Sequence, residues 1–216
     1  MSWIEFNNMN SDEVFGEELL ITKRTIGTPE TKKYTVEIPF SSNTIDYSFI
    51  NGLVFNNRTI ELEINIGLND RAYLYKIYSK ILSWLLKPGY SKLKLSDVEG
   101  YFIAKVESIS NLEEISILGN LKIKFLCYPW RIEEEVEHTV ILNKNNTISL
   151  MNSLMPSTPI IKVSNVCNIE YNNKIYTLVK GDNKNFDIVF KEGINTIKLL
   201  TDGPIEMTIK YKRGVL

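Results

Sequence analysis

Apolar and polar residues alternate through much of the first two thirds of this chain. Tyr34, Val36, Ile38 and Phe40 fall at every second position, and Ile60, Leu62, Ile64 and Ile66 interleave with Thr59, Glu61, Glu63 and Asn65. A period of two predicts half-buried strands, because successive side chains of an extended chain point to opposite faces. Further strands are expected at Lys92 to Leu95, Tyr101 to Ile109 and Leu121 to Tyr128, with a loop containing Gly119-Asn120 between the last two. One segment follows a different period. After Asn69-Asp70, which offers an N-cap and an acidic first turn, Leu74, Ile77, Ile81 and Leu85 recur at helical spacing until Lys87-Pro88-Gly89 ends the pattern. This predicts a helix over about residues 70–86 that covers one sheet, with Trp84 anchored beneath it.

Tyr128-Pro129-Trp130-Arg131 closes the last of these strands, and the acidic run Glu133-Glu134-Glu135-Val136-Glu137 follows as a solvated linker. The boundary falls there. Residues 1–132 form an N-terminal β domain with its helix, and residues 133–216 form a C-terminal β-sandwich. Short strands are expected in the latter at Thr139 to Leu142, Thr147 to Leu150, Ile160 to Ser164, Asn168 to Tyr171, Lys174 to Val179, Phe186 to Phe190, Thr196 to Leu199 and Met207 to Tyr211. Asn172-Asn173 sits where a two-residue hairpin turn belongs, since asparagine tolerates positive φ. The fold class is therefore mainly β.

Charge narrows the range of partners. The 216 residues carry 25 basic and 26 acidic side chains, a formal net charge of −1, with no long block of either sign. That removes the usual electrostatic case for nucleic acid or an anionic membrane and points to protein partners. The first sixteen residues lack the features of a signal peptide, and no stretch reaches the ~20 apolar residues of a membrane span. The expectation is a protein made in a cytoplasm, without membrane insertion, in which the glycosylation-type triplets at Asn57 and Asn146 are chance matches. Cys127 and Cys167 lack paired metal or redox spacing and are expected as buried free thiols.

Candidate chemistry is sparse. His138, the single histidine, stands beside no triad or ligand pattern. No phosphate loop, nucleophile elbow or zinc signature is present. Asp97 with Glu99, or Glu113 with Glu114, could serve as an acid–base pair only if brought to glycosidase spacing; surface charge near turns is the simpler reading. The acidic run could alternatively line a lumen. A sugar-binding role would need an exposed aromatic platform among Tyr171, Tyr176, Phe186, Phe190 and Tyr211, most of which fall in strands where a core claims them first. No catalytic, cofactor or metal residue is assigned.

Four stretches, taken in order, carry a resemblance. They are the opening Ile4-Glu5-Phe6-Asn7-Asn8-Met9-Asn10-Ser11; the strand and turn from Thr35 to Asp46; Phe55-Asn56-Asn57-Arg58-Thr59-Ile60 with the alternating strand and the helix ending Trp84-Leu85-Leu86; and the close from Glu192-Gly193-Ile194-Asn195-Thr196-Ile197 to Tyr211-Lys212-Arg213-Gly214-Val215-Leu216. Together they resemble the distal tail protein family of long-tailed phages and tail-like particles. Two departures stand out: Phe40-Ser41-Ser42 replaces the family's glycine after the proline, and Gly214-Val215 replaces a terminal aromatic.

The resemblance implies an N-terminal β-sandwich with one covering helix and a smaller C-terminal sandwich of galectin-like fold. It implies a structural, non-enzymatic part of a virion tail tip: a ring of six copies joining the tail tube to the tail-associated hub or fibre protein, with receptor binding left to a partner. Interface residues are not assigned by it. A carbohydrate-binding adhesion module and another tube or baseplate component are the alternative readings.

Overall fold

The computed structural model describes residues 2–33, 35–46, 53–67, 71–115 and 118–216. The chain is mainly β and divides into two compact units, Met1–Arg131 and Ile132–Leu216.

The first unit opens with β1 (Ile4–Phe6), β2 (Met9–Asn10), α1 (Ser11–Phe15) and β3 (Leu19–Ile26). Asn7 and Asn8 turn the chain between β1 and β2 with φ of 51° and 60°, and Asn10 caps α1 by accepting from the Asp12 amide at 2.9 Å. There follow β4 (Thr35–Glu37), β5 (Thr44–Asp46), β6 (Arg58–Gly67), α2 (Arg71–Leu85), β7 (Ser91–Leu95), β8 (Val98–Ile109), β9 (Glu113–Ile115) and β10 (Leu118–Leu142). The main sheet of this unit runs β3-β6-β10-β8-β7-β1-β2. The alternation at β6 is realised: Ile60, Leu62, Ile64 and Ile66 are buried, as are their partners Phe125, Ile123, Leu121 and Gly119 on β10. The helix adds Leu74, Ile77, Ile81, Trp84 and Leu85 to the same core. Trp84 lies beneath it as expected, but the proposed N-cap Asn69-Asp70 lies outside the described residues.

Trp84 also fixes the end of the helix to the first strand. Its indole Nε1 donates to the Phe6 carbonyl at 2.7 Å, the Asn7 amide donates to the Trp84 carbonyl at 2.9 Å, and Phe15 packs on the ring at 5.6 Å. Elements seventy residues apart are held by one side chain.

Three expectations need correction. Gly119-Asn120 is no loop; both lie inside β10, paired with Glu114 and Glu113 of β9. A Cβ at Gly119 would approach side chains of Leu112 and Leu74 within 2.9 Å, so glycine here admits the helix rather than a turn. Nor does the strand end at Arg131. β10 continues for 25 residues, and the acidic run is strand, not linker. Glu134, Glu135 and Glu137 meet Arg213, Lys212 and Lys210 at 3.0, 3.5 and 3.0 Å, basic residues supplied from far along the chain. Finally, Phe186–Phe190 is not a strand. Asn185 forms a side-chain turn, accepting from the Asp187 amide at 2.9 Å, and the polar segment Gly181–Lys184 takes the edge position instead.

The second unit contains the end of β10 together with β11 (Thr147–Asn152), β12 (Ile160–Val163), β13 (Cys167–Tyr171), β14 (Lys174–Leu178), β15 (Gly181–Lys184), β16 (Gly193–Leu199) and β17 (Ile205–Val215). Two sheet regions, β11-β16-β13-β14 and β15-β12-β17-β10, share one buried cluster, which makes this unit a sandwich. Asn172 and Asn173 form the expected two-residue turn with φ of 50° and 59°.

Trp84→Phe keeps an aromatic in the core but leaves the buried Phe6 carbonyl without its donor, at a cost of about 1–3 kcal/mol plus the unfilled volume. Urea unfolding followed by circular dichroism should show that loss. A change within experimental error would mean the indole is not what ties helix to strand.

Candidate assembly surface

Between β3 and β6 the chain leaves the core as an arm. At its root the Gly27 amide donates to the Thr59 carbonyl at 2.8 Å, and a Cβ at Gly27 would come within 2.9 Å of that same oxygen. Farther out, Lys32 N donates to the Val54 carbonyl and Asn56 N to the Glu30 carbonyl, each at 2.7 Å, and Thr31 bridges to Phe55. Beyond lies the β4–β5 hairpin, whose strands among the described residues pair only with each other, in the register Thr35↔Asp46, Val36↔Ile45, Glu37↔Thr44.

Every residue from 35 to 46 is exposed. The expected half-burial of this strand is therefore corrected: Val36 and its cross-strand partner Ile45 keep 51% and 42% exposure, and Ile38 is exposed as well. Tyr34 and Tyr47, at either end of the segment, lie outside the described residues. Phe40 stands wholly in solvent, at a φ of 61° that suits glycine better than an aromatic residue. A two-stranded ribbon in water is marginal by itself. With apolar residues exposed on both strands, it has the properties of an element that pairs or packs against another chain.

The residues weighed for catalysis are not brought together. Asp97 forms a bidentate pair with Arg24, the Nη2–Oδ2 bond being 2.7 Å, and this hydrogen bonding holds its carboxyl below the usual range. Glu114 accepts from the Tyr75 hydroxyl. Glu113, Glu99 and His138 are exposed. On the outer face of the main sheet, a shallow groove of about 370 Å³ is lined by charges of both signs, with Lys23 3.6 Å and Lys122 3.9 Å from Glu63. Among the described residues no cluster of three His, Cys, Asp or Glu could hold a metal ion, and no helix is long and apolar enough to cross a membrane.

Of the aromatic residues weighed as a sugar platform, Tyr171, Phe190 and Tyr211 are buried, Tyr176 is half-buried, and Phe186 is 76% exposed. Phe186 stands beside a groove of about 560 Å³ that also includes Glu135, Glu137, Lys184 and Lys210. Both cysteines are free and buried, as expected.

These features define a two-unit, mainly β fold with one long helix, an exposed hairpin arm and no assembled catalytic constellation among the described residues. No family profile matches the sequence, and no curated protein resembles it in sequence. Solved structures do share its fold. Over the full length of both chains it is similar to the Dit protein of phage SPP1, described as a paradigm of the hub adsorption apparatus in phages infecting Gram-positive bacteria, with a TM-score of 0.74 at 11% identity. It is also similar to a chain of the phage P2 baseplate in its activated conformation with calcium, with a TM-score of 0.51 at 8% identity, covering 100% of this chain and 99% of that one.

Two outcomes are expected. Phe40→Gly removes the strain of positive φ, about 1 kcal/mol, and should leave the melting temperature unchanged or slightly raised; a clear fall would show that the ring packs within its own chain. Burial raises the Cys127 thiol from 9.0 to about 12. The unfolded chain ionises from about pH 9, whereas the folded chain keeps that proton, so stability should be undiminished below pH 9 and fall as pH rises toward 12. Alkaline melting curves of the wild type and Cys127→Ala test this: a decline identical in both would remove Cys127 as its source.

Proposed function

We propose that this chain is a distal tail protein, a structural component of the tail tip of a phage or phage-tail-like particle. Copies of it close into a ring, and six copies is the number the family resemblance implies. The ring joins the tail tube on one side to the tail-associated hub or fibre protein on the other, with a receptor-binding protein as a further partner. No chemistry is assigned to it. The observation that carries the reading is the fold likeness to a phage Dit protein over the whole of both chains. The exposed β4–β5 hairpin supports it, because identical subunits close a ring through a surface and its complement repeated head to tail. A nearly neutral chain with charges of both signs can pack this way without accumulating repulsion.

A second reading draws on Phe186, whose exposed ring beside carboxylates resembles the stacking platform of a saccharide-binding module. Against it, Glu137 and Glu135 are already engaged by Lys210 and Lys212.

Light-scattering mass across a concentration series separates the two. From a chain of 24.9 kDa, a closed hexamer should approach about 150 kDa, and replacing both Val36 and Ile45 with serine should abolish it without lowering the melting temperature. A monomer at every concentration, together with saturable binding to cell-wall saccharides lost in Phe186→Ala, would favour the second reading.

A further inference from the structure

Arg58 occupies a position that its neighbours give to apolar side chains. It opens β6 on the file that continues as Ile60, Leu62, Ile64 and Ile66, and its strand partner is Cys127. Only 6% of it is exposed. Its guanidinium carbon lies 5.6 Å from the centre of the Phe102 ring, which covers one flat face of the group. Nε and Nη2 are both buried, and no described residue accepts a hydrogen bond from either.

The identity of those two atoms matters. The N–H bonds of Nε and Nη2 point the same way and form one side of the guanidinium fork, spaced to meet the two oxygens of a carboxylate. One complete bidentate edge is therefore unused. Among the described residues no carboxylate bonds to this edge. Cys127 is held protonated by burial, and Arg131 is a like charge close enough to disfavour the cation. An unpaired buried cation is costly, and a carboxylate brought against it would remove much of that cost.

We infer that the Nε/Nη2 edge of Arg58 receives a carboxylate side chain from a second copy of this chain as copies assemble. The inference rests on the ring reading above. A second copy is favoured over other sources by position: Arg58 directly follows the return segment of the arm, where Phe55 bridges to Thr31 and Asn56 bonds to Glu30, so the site is continuous with the surface already assigned to self-assembly. The neighbour's carboxylate then neutralises the guanidinium.

Two measurements test this, one of which does not require a ring. In the first, the melting temperature is compared in sodium acetate and sodium chloride at matched ionic strength, with acetate standing in for the side chain. Wild type should gain about 2–4 °C in acetate, Arg58→Met should gain none, and Arg58→Lys, which keeps the charge but not the fork, should gain less than wild type. In the second, the self-association midpoint is measured. Arg58→Met should weaken association at least tenfold while melting in chloride at or above wild type, because it removes an unpaired charge and retains apolar volume.

Equal acetate responses in wild type and Arg58→Met would overturn the proposal. So would an Arg58→Met chain that is destabilised or cannot fold, since the guanidinium would then be serving its own core. Association of Arg58→Met at the wild-type midpoint would overturn the second copy as the source. A wild-type chain that never associates removes the ring reading and, with it, the second copy, while the acetate comparison still decides whether Arg58 is a carboxylate site.

Discussion

β10, 25 residues long, is the element on which both cores depend, since its inward side chains enter each of them. Its inward positions are Gly119, Leu121, Ile123, Phe125 and Cys127 in the first unit. In the second they are Val136, Val140 and Leu142, which pack into the sandwich core. The inward-facing residues change from odd to even numbers between them. Pro129 lies in that interval and lacks an amide donor, which suits a place where the ladder is interrupted or re-registered.

That continuity was hidden because its supports lie elsewhere in the chain. Four glutamates within five residues read locally as a solvated connection. What makes them strand is β17, whose Lys210, Lys212 and Arg213 lie more than seventy residues away in sequence. The same limit applies to β15: Gly181–Lys184 has neither apolar alternation nor β-branched residues, and becomes a strand because β12 offers it an edge. Residues at the N-terminus gave no periodic signal, since β1 and β2 are too short for one, and Trp84 at the far end of α2 defines their place. By contrast, β6, α2 and the Asn172-Asn173 hairpin were legible, each depending on a local period or on the tolerance of asparagine for positive φ.

The exposed hairpin was legible in a different sense. The alternation at Val36, Ile38 and Phe40 indicated a strand that is realised only over Thr35–Glu37, with Ile38 and Phe40 beyond its end, and its burial did not follow. Hydrophobic periodicity reports which residues are suited to a buried face; it does not report which chain provides the covering. Nothing in the residues themselves separates a strand that packs on its own domain from one that packs on a neighbour. Phe40 adds a further clue, because an aromatic held in the left-handed region costs folding energy while its ring stands in solvent.

Arg58 has the same character in the opposite chemical sense. Isolated, the chain holds an exposed apolar ribbon, which would gain by leaving water, and a buried cation, which would gain by meeting an anion. Each is unfavourable in one copy and becomes favourable only through contact. They lie at the two ends of one arm, whose root is fixed by the close approach of Gly27 to Thr59. A core cannot easily relieve such a charge by swelling, since neighbouring Ile60, Cys127 and Phe102 are closely packed and almost fully buried. In the proposed assembly that relief comes from a carboxylate of the right charge and geometry on the neighbouring copy.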